Sequence, residues 1–562
     1  MTQTLLDDLR AIVGTRHLLT TPSQMRRFTH GYRWGEGNAL AVAQPGTLVE
    51  MWKVIEASIA ADAAVIAQAA NTGLTGGSTP FGNDYDRPVV LVNTMRIKSL
   101  HMLGGGRQVL AFPGTTLDEL ETALQPLGRE PHSVIGSSCL GASVIGGICN
   151  NSGGSLIRRG PAYTELALYA RVTDNGRLEL VNNLGISLGN DPADILRRIE
   201  TKAYSENDID WSDDKAASDP DYVRYVREID AATPARYNAD QRCLHEASGS
   251  AGKVIVFAVR LDTFEAEKET EVFYIGTNDP NDLTEIRRGM LADGASLPIA
   301  AEYIHREAFD ISARYGKDTY YLVQRLGTRR LPKLFSLKSR IEAFFDRMPF
   351  TSASQVDRIM QKIADLLPSP LPERLKQFRD RFEHHLMIKV SAADAPALQT
   401  LLSQLYPKVS GDWFECTKAE GAAAFLHRFA TAGAAVRYDS VHGKRTGGVI
   451  ALDIALARND REWMEKLPAE IDSRFIHKLY YGHFFCHVFH QDYLLKPGFD
   501  WMATKNAMLE LLEKRNARYP AEHNVGHLYK AEETLTAHYR ALDPCNCFNP
   551  GIGKTSKLKY WK

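Results

Sequence analysis

The sequence predicts an α+β fold of two or three domains, and three observations carry that prediction. At 562 residues the chain is too long for one hydrophobic core. Apolar runs of strand length alternate with helical patterns through its first half. One internal segment is strongly basic in a chain whose net charge is only -1, which marks it as a separate module.

In residues 1–262 the apolar runs Ala63 to Ala67, Val89 to Val92 and Val109 to Phe112 read as strands, separated by glycine-rich turns. After the third run Pro113-Gly114 makes a turn, and Thr116 with Glu119 forms a capping box that opens an amphipathic helix. Residues 191–230, rich in Asp, Asn and Ser, are expected to be an exposed excursion, with no function assigned.

Composition is that of a water-soluble chain, with 44% hydrophobic and 24% charged residues, so no whole-chain signal points to nucleic acid or membrane. The amino-terminal MTQTLLDDLRAIVG lacks the basic and apolar regions of a secretory signal, which predicts a cytoplasmic protein. Seven scattered cysteines, with Cys545 and Cys547 too close for ordinary metal-site spacing, fit a reduced compartment and predict no disulfide. Residues 131–157 lack charge but are too rich in Gly, Ser and Asn for a membrane helix, leaving surface attachment as the membrane option.

Residues 305–381 carry 16 Lys and Arg against 9 Asp and Glu. Within them Val323 to Arg340 holds Arg325, Arg329, Arg330, Lys333, Lys338 and Arg340 with no acid, interleaved with Leu326, Leu331, Leu334, Phe335 and Leu337. A solvated face is the ordinary reading of such a run, and phosphate contact is another. Cations alternating with apolar anchors fit an anionic lipid interface better than nucleic acid, for which no motif accompanies the run.

Two glycine clusters suggest the chemistry. Gln68-Ala-Ala-Asn-Thr-Gly-Leu-Thr-Gly-Gly-Ser-Thr79 follows a strand and can turn successive backbone N–H groups toward a pyrophosphate, although a plain surface loop reads the same way in isolation. Gly136-Ser-Ser-Cys-Leu-Gly-Ala-Ser-Val-Ile-Gly-Gly-Ile-Cys-Asn-Asn-Ser-Gly-Gly154 offers small residues against which a large ligand could lie. Neither matches GxGxxG or GxxxxGK[ST], which disfavours a nicotinamide or ATP site.

Together the clusters resemble the FAD-binding domain of the vanillyl-alcohol oxidase superfamily. Ala69 to Pro80, Pro131 to Tyr163, Ala232 to Asn238, Phe257 to Lys268, Tyr519 to Lys530 and Asn549-Pro-Gly-Ile-Gly-Lys-Thr-Ser556 resemble, within it, the bacterial quinone-dependent D-lactate dehydrogenases. The resemblance implies a two-subdomain FAD-binding domain (1–262, completed by 514–562), a discontinuous α/β cap for substrate (263–304 and 382–513), and a basic, helix-rich membrane-binding insertion (305–381). It implies noncovalent FAD held by Ala69, Ala70, Asn71, Thr72, Gly73, Gly77 and Ser78 from the first loop and Gly136, Ser143 and Gly153 from the second. Val256 would touch the cofactor through its backbone, or be a core valine.

The implied activity is oxidation of D-lactate to pyruvate with electrons passed to a membrane quinone at the cytoplasmic face of the inner membrane. A soluble dehydrogenase of another D-2-hydroxy acid is the alternative, which the basic segment opposes. Such chemistry needs a base for the hydroxyl proton and a cation for the carboxylate. The family places the base at His523, in Glu522-His523-Asn524-Val525-Gly526, where relatives carry Glu-His-Gly. His483 and His490 keep the spacing of relatives that bind a divalent metal through two histidines and that Glu, here Glu522. The acidic glycine-rich loop between those histidines is replaced by Phe485-Cys-His-Val-Phe489, which argues against a metal and leaves a single strand of substrate-facing histidines. Arg437 is the candidate carboxylate clamp, or else a solvated strand end.

Overall fold

Three β-sheets organise the chain, and the computed structural model describes residues 2–132, 141–212, 214–292, 294–326, 353–406 and 410–562 of it. The first sheet contains β1 (Leu18–Leu19), β2 (Ala41–Ala43), β3 (Ala64–Gln68) and β4 (Val89–Asn93) in the order β1-β2-β4-β3. Its parallel pairs β2–β4 and β3–β4 are buried nearly throughout, as a parallel sheet covered on both faces requires.

The second sheet is antiparallel. It comprises β5 (Leu100–Leu103), β6 (Gln108–Ala111), β7 (Arg129–Pro131), β8 (Ala167–Val172), β9 (Leu178–Asn182) and β10 (Ile255–Glu265), in the order β5-β6-β10-β8-β9 with β7 also on β10. Ile255 and Phe257 share one core with Val65 and Val90, so the two sheets fold as a unit. The carboxy-terminal tail closes it: Val65 donates to the Cys547 carbonyl and Asn549 donates to Val65, at 2.9 Å each.

Helix α1 (Leu117–Leu124) opens with the Thr116/Glu119 capping box in both directions. Helix α2 (Val144–Cys149) begins where Ser143 Oγ accepts from Gly146 N. Helix α3 (Pro192–Glu200) corrects the expectation of an exposed excursion over 191–230. Asp191 caps it, and Ile195, Leu196 and Ile199 sit at helical spacing in the core, as Tyr222 and Val226 do farther on. The polar residues of this stretch cap and coat elements whose apolar positions are spaced three or four apart.

The third sheet is a seven-stranded antiparallel one. Its strands are β11 (Thr270–Thr277), β12 (Ala300–His305), β13 (His384–Ser391), β14 (Asp412–Glu415), β15 (Val449–Ala455), β16 (Phe475–His483) and β17 (Val488–Leu495), ordered β14-β11-β13-β12-β16-β17-β15. Side chains alternate across it. Tyr303, Phe484 and Phe489 enter one core, while Ile304, Tyr481 and Leu494 enter another beneath α4 (Arg306–Tyr315) and other helices. Helix α5 (Lys317–Leu326), helix α6 (Ala353–Leu366) and the 25-residue α7 (Lys418–His442) complete that side, and α7 starts with its own capping box at Thr417 and Glu420.

Arg437 lies in the interior of α7, neither a strand end nor solvated. Its Nη2 meets Asp318 of α5 at 2.7 Å and its Nε meets Asp357 of α6 at 3.4 Å, so one guanidinium ties both helices to α7. Removing one member of such a buried group leaves charge uncompensated, at about 3–5 kcal/mol. Arg437→Met should therefore lower the thermal unfolding midpoint clearly in circular dichroism, and an unchanged midpoint would contradict the role of this pairing.

Candidate functional site

The first glycine loop leaves β3 and is braced from behind. Gln68 Nε2 donates to the carbonyls of Phe28 and Ser78, Asn93 Nδ2 to Ala69 O at 2.9 Å, and Asn71, at φ 55°, donates through Nδ2 to His30 O. Ser78 Oγ donates to Asn71 Oδ1, and Gly73 has open space where a side chain would stand. Ala69, Ala70, Thr72 and Gly77 complete the same turn after β3. Ser143 caps α2 in the second loop, Gly153 faces Glu522, and Val256 lies buried in β10 opposite Tyr169. Gly136 lies outside the described residues. Near these loops Asn151 Oδ1, Ser250 Oγ, Asn549 Oδ1 and Gln68 Oε1 are buried without a hydrogen-bond partner. Polar atoms left in that state are costly unless a ligand meets them, so the cradle suits a polar cofactor.

Facing the cradle, the third sheet builds an ionic cluster from its register. Glu302 of β12 stands directly across from His483 of β16, and Asp453 of β15 directly across from His490 of β17. His483 and His490 belong to adjacent strands of a hairpin, correcting the single strand expected from their spacing. The replaced loop forms a tight turn, Phe484–Cys486 with His487 at φ 52°, whose aromatics bury in the core. The two Nε2 atoms end 3.4 Å apart.

Glu302 Oε1 lies 2.6 Å from His483 Nδ1, and Arg428 of α7 lies 3.0 Å from Glu302 Oε2. On its other side His483 Nε2 is 3.2 Å from Glu522 Oε2, and Arg236 donates to Glu522 Oε1 at 2.6 Å. Burial alone would lower the His483 pKa, but Glu302 and Glu522 overcome it and push it up to about 10. Burial likewise favours neutral Glu522 and Glu302, but His483 with Arg236 and Arg428 respectively holds both below the usual carboxylate range. Charges thus alternate from Arg236 through Glu522, His483 and Glu302 to Arg428, each compensated by its neighbours.

The loop carrying Glu522 and His523 is clamped onto the cradle. Asp453 Oδ2 accepts from Glu522 N at 2.7 Å and lies 3.9 Å from His523 Nε2, while Asp453 Oδ1 lies 3.3 Å from His490 Nδ1. Thr75 Oγ1 donates to Asn524 O at 2.8 Å, and Asn524 Nδ2 donates to Asn150 Oδ1 at 2.7 Å. Glycine is required where these surfaces meet: a Cβ at Gly153 would collide with Glu522, and one at Gly526, whose φ is 55°, with the Thr75 carbonyl. The His523 ring stacks 6.4 Å from His490 and stays one-third exposed, open to an incoming molecule.

The structure therefore brings together His483, His490, Glu522 and His523, next to loops holding Gly77 and Gly153, and leaves Arg437 elsewhere with its charge taken by Asp318 and Asp357. Of the basic run, Arg325 ends α5 exposed to solvent, and Arg329, Arg330, Lys333, Lys338 and Arg340 lie outside the described residues. Sequence reasoning missed Glu302, Asp453, Arg236 and Arg428. For the two acids a signal existed, a lone carboxylate inside the apolar strands Ala300-Ala-Glu-Tyr-Ile304 and Ile450-Ala-Leu-Asp-Ile454. Burying such a charge demands a partner.

Residues 272–561 match the family model described as D-lactate dehydrogenase, membrane binding. The chain is 57% identical over 557 residues to the quinone-dependent D-lactate dehydrogenase of Escherichia coli strain K12, covering 99% of this chain and 97% of the relative. It is 54% identical to that of Haemophilus influenzae, covering 100% and 99%. Among solved structures, p-cresol methylhydroxylase with substrate bound aligns with a TM-score of 0.59 at 12% identity, covering 99% and 97%. A 4-ethylphenol oxidase from Gulosibacter chungangensis aligns at 0.58 and 12%, covering 98% and 96%. These two show that the chain shares its fold with both flavin-type neighbours' chains over nearly its whole length, and show the fold alone. With identity above one half along essentially its whole length, the chain belongs to the quinone-dependent D-lactate dehydrogenase family.

Proposed function

We propose that this protein oxidises D-lactate to pyruvate with FAD and hands the electrons to a membrane quinone, working as a peripheral protein on the cytoplasmic face. The observation that carries the chemistry is a half-open histidine, His523, beside a buried ionic cluster and facing the glycine cradle. Among the described residues no helix is long and apolar enough to cross a membrane.

FAD, held noncovalently by the cradle, would supply the hydride acceptor for the substrate α-carbon and the route of two electrons to quinone. The chain supplies the rest. His523 takes the hydroxyl proton as the α-carbon hydrogen leaves, so that the carbonyl forms. Asp453, near the rings of both His523 and His490, compensates the positive charge gained. The Arg428–Glu302 pair holds His483 in place from behind.

We further infer that His483, His490 and Glu522 can hold a divalent ion. Their atoms are separated by 3.2, 3.4 and 3.8 Å, close to the edge of about 3.3–3.4 Å of a tetrahedron with zinc-like bonds of about 2.0–2.1 Å. Glu302 and Asp453 stand behind the two imidazoles, as carboxylates do behind metal-bound histidines. Such an ion would act as a Lewis acid on the substrate's oxygen atoms.

His523→Ala should retain FAD yet slow flavin reduction by D-lactate roughly 10²–10⁴-fold in anaerobic stopped flow, the usual contribution of a positioned base. A near-normal rate would remove His523 from the mechanism. Acid precipitation should leave all flavin in the supernatant, whereas yellow pellet would sink noncovalent binding. Dialysis against a strong chelator should abolish turnover and zinc or manganese should restore it. Full activity in protein shown to be metal-free by elemental analysis would leave the histidines as an ion-pair cluster only.

A further inference from the structure

A carboxylate substrate needs a cation that no acid of the protein already holds. Arg236 is taken by Glu522, Arg428 by Glu302, and Arg437 by Asp318 and Asp357. Arg33 differs from all three. It is exposed, and among the described residues it lies in no ion pair; its guanidinium makes one hydrogen bond, from Nη2 to Ala432 O at 3.3 Å. Ala432 lies one turn of α7 beyond Arg428, on the same side of the helix. The charge of Arg33 also reaches the sheet face beneath. Asp492 follows His490 by two residues in β17 and so shares its face. Tyr481 donates to Asp492 Oδ2 at 2.6 Å and packs 5.6 Å from the His490 ring. Burial pushes the Asp492 carboxyl above its usual range, and Arg33 is the foremost charge opposing that rise.

Residues 30–37 hold Arg33 in this position. His30 and Glu36 pair across a hairpin, their side chains meet at 2.9 Å, and Gly31 N donates to Gly35 O at 2.8 Å. The hairpin sits on the first glycine loop. Asn71 donates to His30 O, and a Cβ at Gly76, whose φ is 72°, would lie 2.5 Å from the Trp34 carbonyl oxygen. From there the tip crosses to the cap, where Trp34 stacks on Trp501 with ring centroids 5.6 Å apart and Arg33 touches α7. A hairpin rooted on the cofactor side thus brings an uncompensated guanidinium to the cap face that carries the histidines. We propose that Arg33 binds the carboxylate of the D-2-hydroxy acid, with residues 30–37 as the strap that positions it. This rests on the D-lactate reading above and adds the cation that reading lacks. A planar guanidinium takes both carboxylate oxygens at once and so fixes the plane of the acid. With the carboxylate on Arg33 and the hydroxyl on His523, the α-hydrogen of only one enantiomer is directed at the glycine cradle.

The test uses the full-length, FAD-loaded protein and its Arg33→Met, Arg33→Lys and Arg33→Ala variants. Pyruvate carries the carboxylate but no hydrogen to give the flavin, so its binding is titrated through the flavin spectrum. Its dissociation constant should rise roughly 10²-fold in Arg33→Met, as the loss of charge-assisted hydrogen bonds implies, and less in Arg33→Lys. The half-saturating concentration of D-lactate in flavin reduction should rise alongside, with a smaller fall in the limiting rate. Methyl D-lactate offers no carboxylate charge, and should reduce the flavin of Arg33→Met and of the parent at the same rate. Ethylguanidinium should restore part of the pyruvate binding to Arg33→Ala. Pyruvate binding as tight in Arg33→Met as in the parent overturns the proposal. Equal slowing of D-lactate and its methyl ester also overturns it, because Arg33 would then only brace the hairpin against α7. A parent that carries FAD and is not reduced by D-lactate overturns the D-lactate reading, and the proposal falls with it.

Discussion

Two carboxylates, Glu302 and Glu522, are buried on either side of one imidazole, and the arrangement of the molecule follows from keeping them compensated. A buried charge without a partner would cost several kcal/mol. The partners come from different places: Arg428 from α7, His483 from β16, Arg236 from the segment between the second sheet's strands β9 and β10. The cap sheet, the long helix and the cofactor-side loops must therefore meet at one point. Gly153 permits the meeting, since any larger residue would strike Glu522. Stability and chemistry are thus coupled here, because the contact that closes the two halves on one another also orients the candidate reacting groups.

Much of this was legible in the residues. The strands at Val65, Val90 and Val109, the Thr116/Glu119 capping box and both glycine clusters are local features, set by periodicity and turn chemistry. What escaped was set by register. His483 and His490 are seven apart in sequence, yet their approach to 3.4 Å arises because the four-residue turn Phe484–His487 makes them diagonal neighbours across a hairpin. Glu302 and Asp453 reach them only through the pairings β12–β16 and β15–β17, between segments distant in sequence. Arg437 was misplaced for a related reason. Its setting Ala434-Ala-Val-Arg-Tyr438 has strand-like content, but it belongs to a helix begun twenty residues earlier by Thr417. Likewise the polar composition of residues 191–230 obscured buried positions spaced for a helix.

Helix α7 joins the ionic cluster to the helices α5 and α6. Arg428 near its middle braces the ionic cluster through Glu302, and Arg437, some two and a half turns on, fastens α5 and α6. One helix thus links the ionic cluster to the helices that flank the basic segment.

The most direct measurement is anaerobic mixing of the purified holoprotein with D-lactate, L-lactate and larger D-2-hydroxy acids while the flavin absorbance is followed. Rapid and complete bleaching by D-lactate, with little or none by L-lactate and slower bleaching by bulkier acids, is the predicted result. Bleaching by the L enantiomer at a similar rate, or no bleaching by any of them in protein that carries FAD, would contradict the assignment of this site to D-lactate oxidation.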